Sequence, residues 1–389
     1  MSVKFRTTEA TILPILEEAV QAVPRKTFDL LAPAPQLDSA YSPRKDSDWH
    51  LSSKSPQIYD GGALRQGEEV NIWRRNYIGL VVQYASVGMV VGTLPGTIYP
   101  FLFNYLNMEG TQVMSATVLL NMPWSLKVFF GMLTDCVPIW GYRRRPFMVL
   151  GWTLCFTMLV AMTCMDAGAP YYPDDKYATM DPHDLTPEMI ATFNESAHHV
   201  GGKFVFMMMI AAIGYVAADV AADAMMVEVA QREPEATRGY TQTTIYMVRT
   251  AFIMISNILT GFAFNGKEYG GDFNFSLSFP QLMLVLSIYC FPVIPISWYF
   301  IQEDVHPGII FRYYLAELWH LVQMRPMYQV IAYKFLAGIF ENFSVTCFDP
   351  MQAYWAKVTP LNEKMMTIVG NGVFAITLYF TGKYGLQWN

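Results

Sequence analysis

Eight apolar stretches, each close to twenty residues long, constrain this chain more than any other feature. Their limits fall near 77–103, 113–135, 146–166, 203–226, 242–264, 280–301, 328–348 and 365–384. A helix of about 20 residues crosses the hydrocarbon core of a bilayer. In lipid every backbone N–H and C=O must find its partner within the segment, and a helix does this unaided. The sequence therefore predicts an all-α, multi-pass membrane protein. Composition agrees: only 15% of residues are charged, against about 25% in soluble domains.

The first stretch contains "VGTLPGTIYP", with Pro95 and Pro100. A helix with this text is expected to kink or break, which lipid tolerates only where the break packs on protein or lines a cavity. Residues 1–70 are polar and interrupted by Pro24, Pro33, Pro35, Pro43 and Pro56. They read as a flexible cytosolic tail, with room for a short helix over Glu9–Val23. "MSVKFRTTEA" lacks the apolar core of a signal peptide, so the first spanning helix is expected to serve as an uncleaved targeting signal.

Arginines set the expected orientation. Arg74 and Arg75, Arg143 to Arg145, Arg232 and Arg238, and Arg312 and Arg325 precede the odd-numbered stretches. The arginine side is expected to be cytoplasmic, with the N-terminus inside. The acidic loop over 167–202 then lies outside. So do the sequons at Asn194 and Asn274, the two glycosylation candidates. A third sequon, at Asn342, falls in an apolar stretch. The net charge of −6 resides mostly in the tail and the acidic loop and says little about partners.

"YVAADVAADAMMVEVAQREP", Tyr215 to Pro234, places Asp219 and Asp223 in an apolar run. A spacing of four stacks both carboxylates on one helix face. A charge near the bilayer centre costs about 2.5–3.5 kcal/mol on insertion scales, so partners are required. Depth from the arginine edge supplies candidates. Lys127 lies about 12 Å in, Asp219 and Arg249 about 10 Å, and Lys334 about 9 Å. Asp223 lies nearer the edge, and Glu341 near the midplane. Three readings stay open: an ion-pair network that only holds the bundle, lysines that snorkel to the interface, and a polar cavity for a solute or a proton. With three cations, the layer suits an anionic solute. Asp219 is expected to be the carboxylate most tightly paired, with Arg249 or Lys127. Asp223 should face the same way without being locked in a pair, and so titrate more freely.

A second stretch, "GMLTDCVPIWGYRRRP", runs from Gly131 to Pro146. Gly131 suits close helix packing. Asp135 can accept hydrogen bonds from a helix N-terminus or from Arg143, Arg144 and Arg145. No HExxH, GxSxG or P-loop text occurs, so no enzyme is expected. His198 and His199 lack a third ligand at metal spacing. The five cysteines show no CxxC spacing and read as small buried hydrophobes. No cofactor, metal or nucleic-acid partner is expected.

"GMLTDCVPIWGYRRRPF", "DVAADAMMVEVAQREPEATRGYTQTTIYMVRT" and "NMPWSLKVFFG" together resemble the folate–biopterin transporter family of the major facilitator superfamily. "FDPMQAYWAKV", from Phe348, is similar to its oomycete or protist branch. The resemblance covers the chain from about residue 70 onward. It implies twelve helices in two six-helix halves around a central cavity, of which about eight are present. On this reading 71–301 form the first half, 302–327 a cytosolic linker, and 328–389 the start of the second half. The sequence is accordingly expected to be a piece of a longer protein. The resemblance also implies alternating-access transport of a folate- or pterin-like anion, coupled to protons, with Lys127, Asp219, Asp223 and Arg249 on the path. It places a cytoplasmic latch at Asp135 and Arg143 to Arg145. A monomer in a plasma or organelle membrane is expected. A carrier for another organic solute, such as an amino acid or nucleoside, and a non-transporting receptor or structural protein are the alternatives.

Overall fold

The computed structural model describes residues 60–384, apart from 66, 68–69, 76, 175, 178–179, 181–182, 306–307, 342 and 344. The tail expected over 1–70, with its helix at Glu9–Val23, therefore lies largely outside the described residues. The described chain is almost wholly helical, with two isolated β-bridges.

Among the described residues, seven helical segments are long and apolar enough to cross a membrane. We label six of them α1 (Ile78–Tyr105), α2 (Gly110–Cys136), α3 (Arg145–Thr163), α4 (Ala197–Ala230), α5 (Tyr240–Ala263) and α6 (Phe279–Tyr299). The helix Arg325–Glu341 is α7, and Pro360–Tyr384, the seventh long segment, is α8. Prolines interrupt three of the long helices, in α1 as expected and also in α2 and α6. In α1 the regular helix ends at Gly96, just past Pro95, and a wider π-helical segment carries Ile98–Tyr105. Pro123 splits α2 into Gly110–Ser125 and Lys127–Cys136, because proline has no N–H to donate and crowds the preceding turn. α6 breaks before Val293, at Pro292.

α7 has 17 residues and falls short of the seven, yet its neighbours place it across the bundle. α6 ends beside the arginines, where the Arg145 guanidinium donates to the Trp298 carbonyl. The helix Phe311–Gln323 follows, and Ile309 N–H donates to the Asp135 carbonyl at 3.3 Å. By Val358 the chain is at the other end, where its carbonyl accepts from the Tyr99 hydroxyl at 2.9 Å. At about 1.5 Å per residue, 17 residues cover most of a hydrocarbon core. α8 then returns antiparallel to α5: Gly261 lies against Lys364, Gly372 against Met254, and Gly382 against Thr243. Each of the eight predicted stretches thus has a helix, but among the described residues seven segments, not eight, are long and apolar enough to cross a membrane.

α3 and α4 meet closely because two glycines face each other. A Cβ at Gly214 would stand 2.6 Å from the Gly151 carbonyl oxygen. Apolar side chains of α1, α3, α4 and α6 fill the core around Trp152, Tyr215, Phe101 and Phe204. Cys155 and Cys290 are buried in it, whereas Cys164 and Cys347 are exposed, contrary to the buried reading of those two. α4 starts at Ala197, six residues before the expected 203.

Candidate functional site: a charged cluster inside the bundle

The break in α2 decides the site. It starts a new helical segment at Lys127 and sets Trp124 one turn before it. Lys127 Nζ donates to Asp219 Oδ2 at 2.6 Å and to Asp223 Oδ2 at 2.8 Å. The i, i+4 spacing on α4 thus presents two carboxylates to one ammonium. From α5, Arg249 NH1 faces Asp219 Oδ1 at 3.7 Å. That oxygen makes no hydrogen bond. From α1, the Tyr84 hydroxyl donates to Asp223 Oδ1 at 2.5 Å. Trp124 lies between the two cations, with Lys127 Nζ 4.6 Å and the Arg249 guanidinium carbon 4.9 Å from its ring. An indole face attracts both.

Asp219 is fully buried, while the side chains of Lys127, Asp223 and Arg249 keep 30%, 29% and 20% exposure. Two cations and two carboxylates balance, which is the condition for holding charge inside a bundle. The partial exposure is on the side of Lys127, Asp223 and Arg249.

Four of the six path residues expected from the sequence therefore come together: Lys127, Asp219, Asp223 and Arg249. Asp223 differs from expectation in being held by both Lys127 and Tyr84. Lys334 does not join. It is exposed on α7 and forms no ion pair with the cluster among the described residues. Depth fixes a residue's height along a helix but not what the helix packs against, and α7 is exposed along most of its length, so Lys334 meets none of the cluster. Glu341 ends α7, and its side chain lies outside the description. Tyr84 and Trp124 had no charge to mark them. Their signal was a hydroxyl and an indole N–H in apolar runs, which need partners when buried.

At the arginine end, Arg144 reaches Asp135 Oδ1 at 3.0 Å and Glu228 Oε1 at 3.2 Å, and Arg65 meets Glu228 Oε2 at 3.3 Å. Glu303, beyond α6, accepts from the backbone N–H groups of Arg143 (2.8 Å), Arg144 (2.9 Å) and Arg145 (2.9 Å). A carboxylate there satisfies N–H groups that a helix start leaves open, and opposes the dipole. The Arg145 guanidinium stacks on Tyr142 and Trp298. The Asp135 pairing matches the sequence reading. Gly131 corrects it: a Cβ there would meet only Val220 Cγ1, at 3.9 Å, so no helix approaches closely in this structure. The Tyr314 hydroxyl, on the helix Phe311–Gln323, is held above the usual phenol range by burial and then by the Asp135 charge.

The sequon asparagines both lie in loops at the other end. Asn194 Nδ2 donates to the Ala169 carbonyl at 3.0 Å, and Asn274 is exposed.

With this geometry in view, comparison with known proteins can be placed on it. Residues 88–170 match the BT1 family. The BT1 family domain so defined contains Trp124, Lys127, Gly131, Asp135 and Arg143 to Arg145. Asp219, Asp223 and Arg249 lie outside it. A curated relative, "Probable folate-biopterin transporter 4" of Arabidopsis thaliana, is 21% identical over 163 residues. That alignment takes in 42% of this chain and 27% of the relative. No solved structure matches the chain. The BT1 match over residues 88–170 and the similarity to a probable folate–biopterin transporter agree with the resemblance read from the sequence.

Proposed function

We propose that the protein is a secondary active transporter that moves a folate- or pterin-like organic anion by alternating access, coupled to protons. The observation that carries this reading is Lys127 held jointly by Asp219 and Asp223, with Arg249 across Trp124, inside a membrane bundle. Intramembrane ionisable groups mark solute and proton paths. The BT1 match and the printed name of the relative support the solute class.

The cluster suggests how coupling would arise. A solute carboxylate competes with Asp223 for Lys127. A proton on Asp223 weakens its claim on the ammonium and frees Lys127 for the solute. One carboxylate and one proton arriving together leave the cluster's net charge unchanged, so the buried site is never left with an unbalanced charge. Trp124, half-buried beside the two cations, is the aromatic ring of the cluster that a flat solute ring could meet. Movement of the arginine end would require the Asp135–Arg144–Glu228 contacts to break and re-form. By the arginine asymmetry that end is cytoplasmic, which places Asn194 and Asn274 outside.

The test is uptake of labelled folate, biopterin, an amino acid and a nucleoside into cells expressing the complete coding region, at two external pH values. Faster uptake of folate or biopterin at the lower pH is the expected result. Uptake of the amino acid or nucleoside alone would move the reading to another carrier class. Normal surface delivery with no flux of any solute would favour a receptor or structural role.

A further inference from the structure

A second buried lysine lies at the end of the bundle opposite the arginines, outside the Lys127 cluster. Lys364, near the start of α8, is 5% exposed. A Cβ at Gly261 of α5 would stand 3.1 Å from Lys364 Cβ, and one at Gly96 of α1 would stand 3.6 Å from Lys364 Nζ. The side chain therefore lies in a notch that two glycines leave between α1 and α5. Its ion pair is with Glu363, at 2.9 Å. That contact uses one carboxylate oxygen of the adjacent Glu363. Its Oε2 is buried without a hydrogen bond.

Asn265 adjoins the same notch and is 1% exposed. Its Oδ1 accepts from the Leu361 N–H at 3.2 Å, in the first turn of α8, and its Nδ2 is buried with no partner. Buried donors without partners are rare in folded proteins and call for an explanation. An ammonium, an unused amide N–H₂ and the opening turn of a 25-residue helix form a donor set that fits a carboxylate. Asp349 lies in the same field. Burial, and then the Glu363 charge, hold its carboxyl above the usual carboxylate range.

We propose that Lys364 and Asn265 form a second carboxylate station on the solute path, at the end opposite the arginines, and that Glu363 occupies it when no solute is bound. The inference rests on the transporter reading above and deepens it, since it assigns a distinct recognition point for the acidic part of the solute. A solute carboxylate would span Lys364 Nζ and Asn265 Nδ2 with its two oxygens and release Glu363.

The test compares folate, which carries carboxylates, with biopterin, which carries none. Lys364→Gln should raise the KM for folate about tenfold, the loss of one charge-assisted contact, and leave that for biopterin within about twofold. Lys364→Arg should restore most of the folate affinity. Glu363→Gln removes the internal competitor and should lower the KM for folate about threefold or more; this variant keeps the lysine and covers the case in which Lys364→Gln fails to reach the membrane. Equal shifts for the two solutes in Lys364→Gln, or an unchanged folate KM in Glu363→Gln, would overturn the station while leaving the transporter reading intact. A wild-type protein that moves neither solute would overturn both.

Discussion

Around Lys127, two carboxylates and a tyrosine hydroxyl converge on side-chain atoms. Around Arg143 to Arg145, one carboxylate, that of Glu303, converges on three backbone N–H groups. The first arrangement can change partners without moving a helix, because every participant is a side chain. The second cannot, because its donors are the start of α3 itself. The difference separates two tasks. On the proposed function, the inner cluster is the part that exchanges one partner for another. The Glu303 contact fixes the frame within which Arg144 meets Asp135 and Glu228.

The largest effect should come from Asp219→Asn. It leaves Lys127 and Arg249 facing a single carboxylate in a buried site. Removing one partner of a buried pair costs about 3–5 kcal/mol. A marked fall in melting temperature and loss of uptake are expected for the purified protein in nanodiscs. Pairing it with Arg249→Gln restores the charge balance and should recover a large part of the stability. If the double variant is as unstable as the two losses added together, the balance argument fails, and the cluster is held by packing instead.

Glu303→Ala comes next. It removes a helix-capping carboxylate, a change worth about 1–2 kcal/mol. The melting temperature should drop by less than in Asp219→Asn, while the KM for any transported solute stays near wild type. A change confined to KM would show that Glu303 acts on the inner site and would erase the contrast between the two regions.

How far the sequence revealed these regions follows from what periodicity and depth can encode. The crossings were legible, because each needs a long apolar run. Asp219, Asp223, Lys127 and Arg249 were legible, because a charge in such a run is visible and helix rise converts position to height. Rotation about the helix axis was not legible. These helices are apolar on most faces, so no polar stripe shows which side faces the bundle. Tyr84 and Trp124 were missed for that reason, and Lys334 was misplaced because α7 is exposed along most of its length and does not join the cluster. Glu303 was not singled out, since its partners are backbone atoms that leave no mark in a sequence. Lys364 stands one residue before the apolar stretch expected over 365–384, so nothing in the sequence marks it as buried.

Asp223→Asn should have a small effect on stability, below about 1 kcal/mol, since the carboxylate is part-exposed and Lys127 keeps Asp219. The amide can still accept from Tyr84. Uptake, if the proton role is assigned correctly, should lose most of its dependence on external pH. A normal pH profile in this variant would move the proton to another carboxylate, with Glu341 the next to test.

The smallest effect should be that of Gly131→Ala, and its smallness is informative. The sequence suggests that Gly131 permits a close helix approach, yet the nearest atom to a Cβ there is Val220 Cγ1, at 3.9 Å, an ordinary contact. Alanine also lowers the entropy lost on folding in a helix, by about 0.5–1 kcal/mol. Stability should therefore be unchanged or slightly raised. Gly214→Ala is the control: its Cβ would stand 2.6 Å from the Gly151 carbonyl oxygen, so α3 and α4 would have to separate and the melting temperature should fall. For Gly131→Ala, unchanged uptake would make the residue a bystander between Lys127 and Asp135. Normal melting with uptake lost would mean the opposite. Another state of the transport cycle would then bring a helix against Gly131, and the segment joining the two charged regions would itself move during transport.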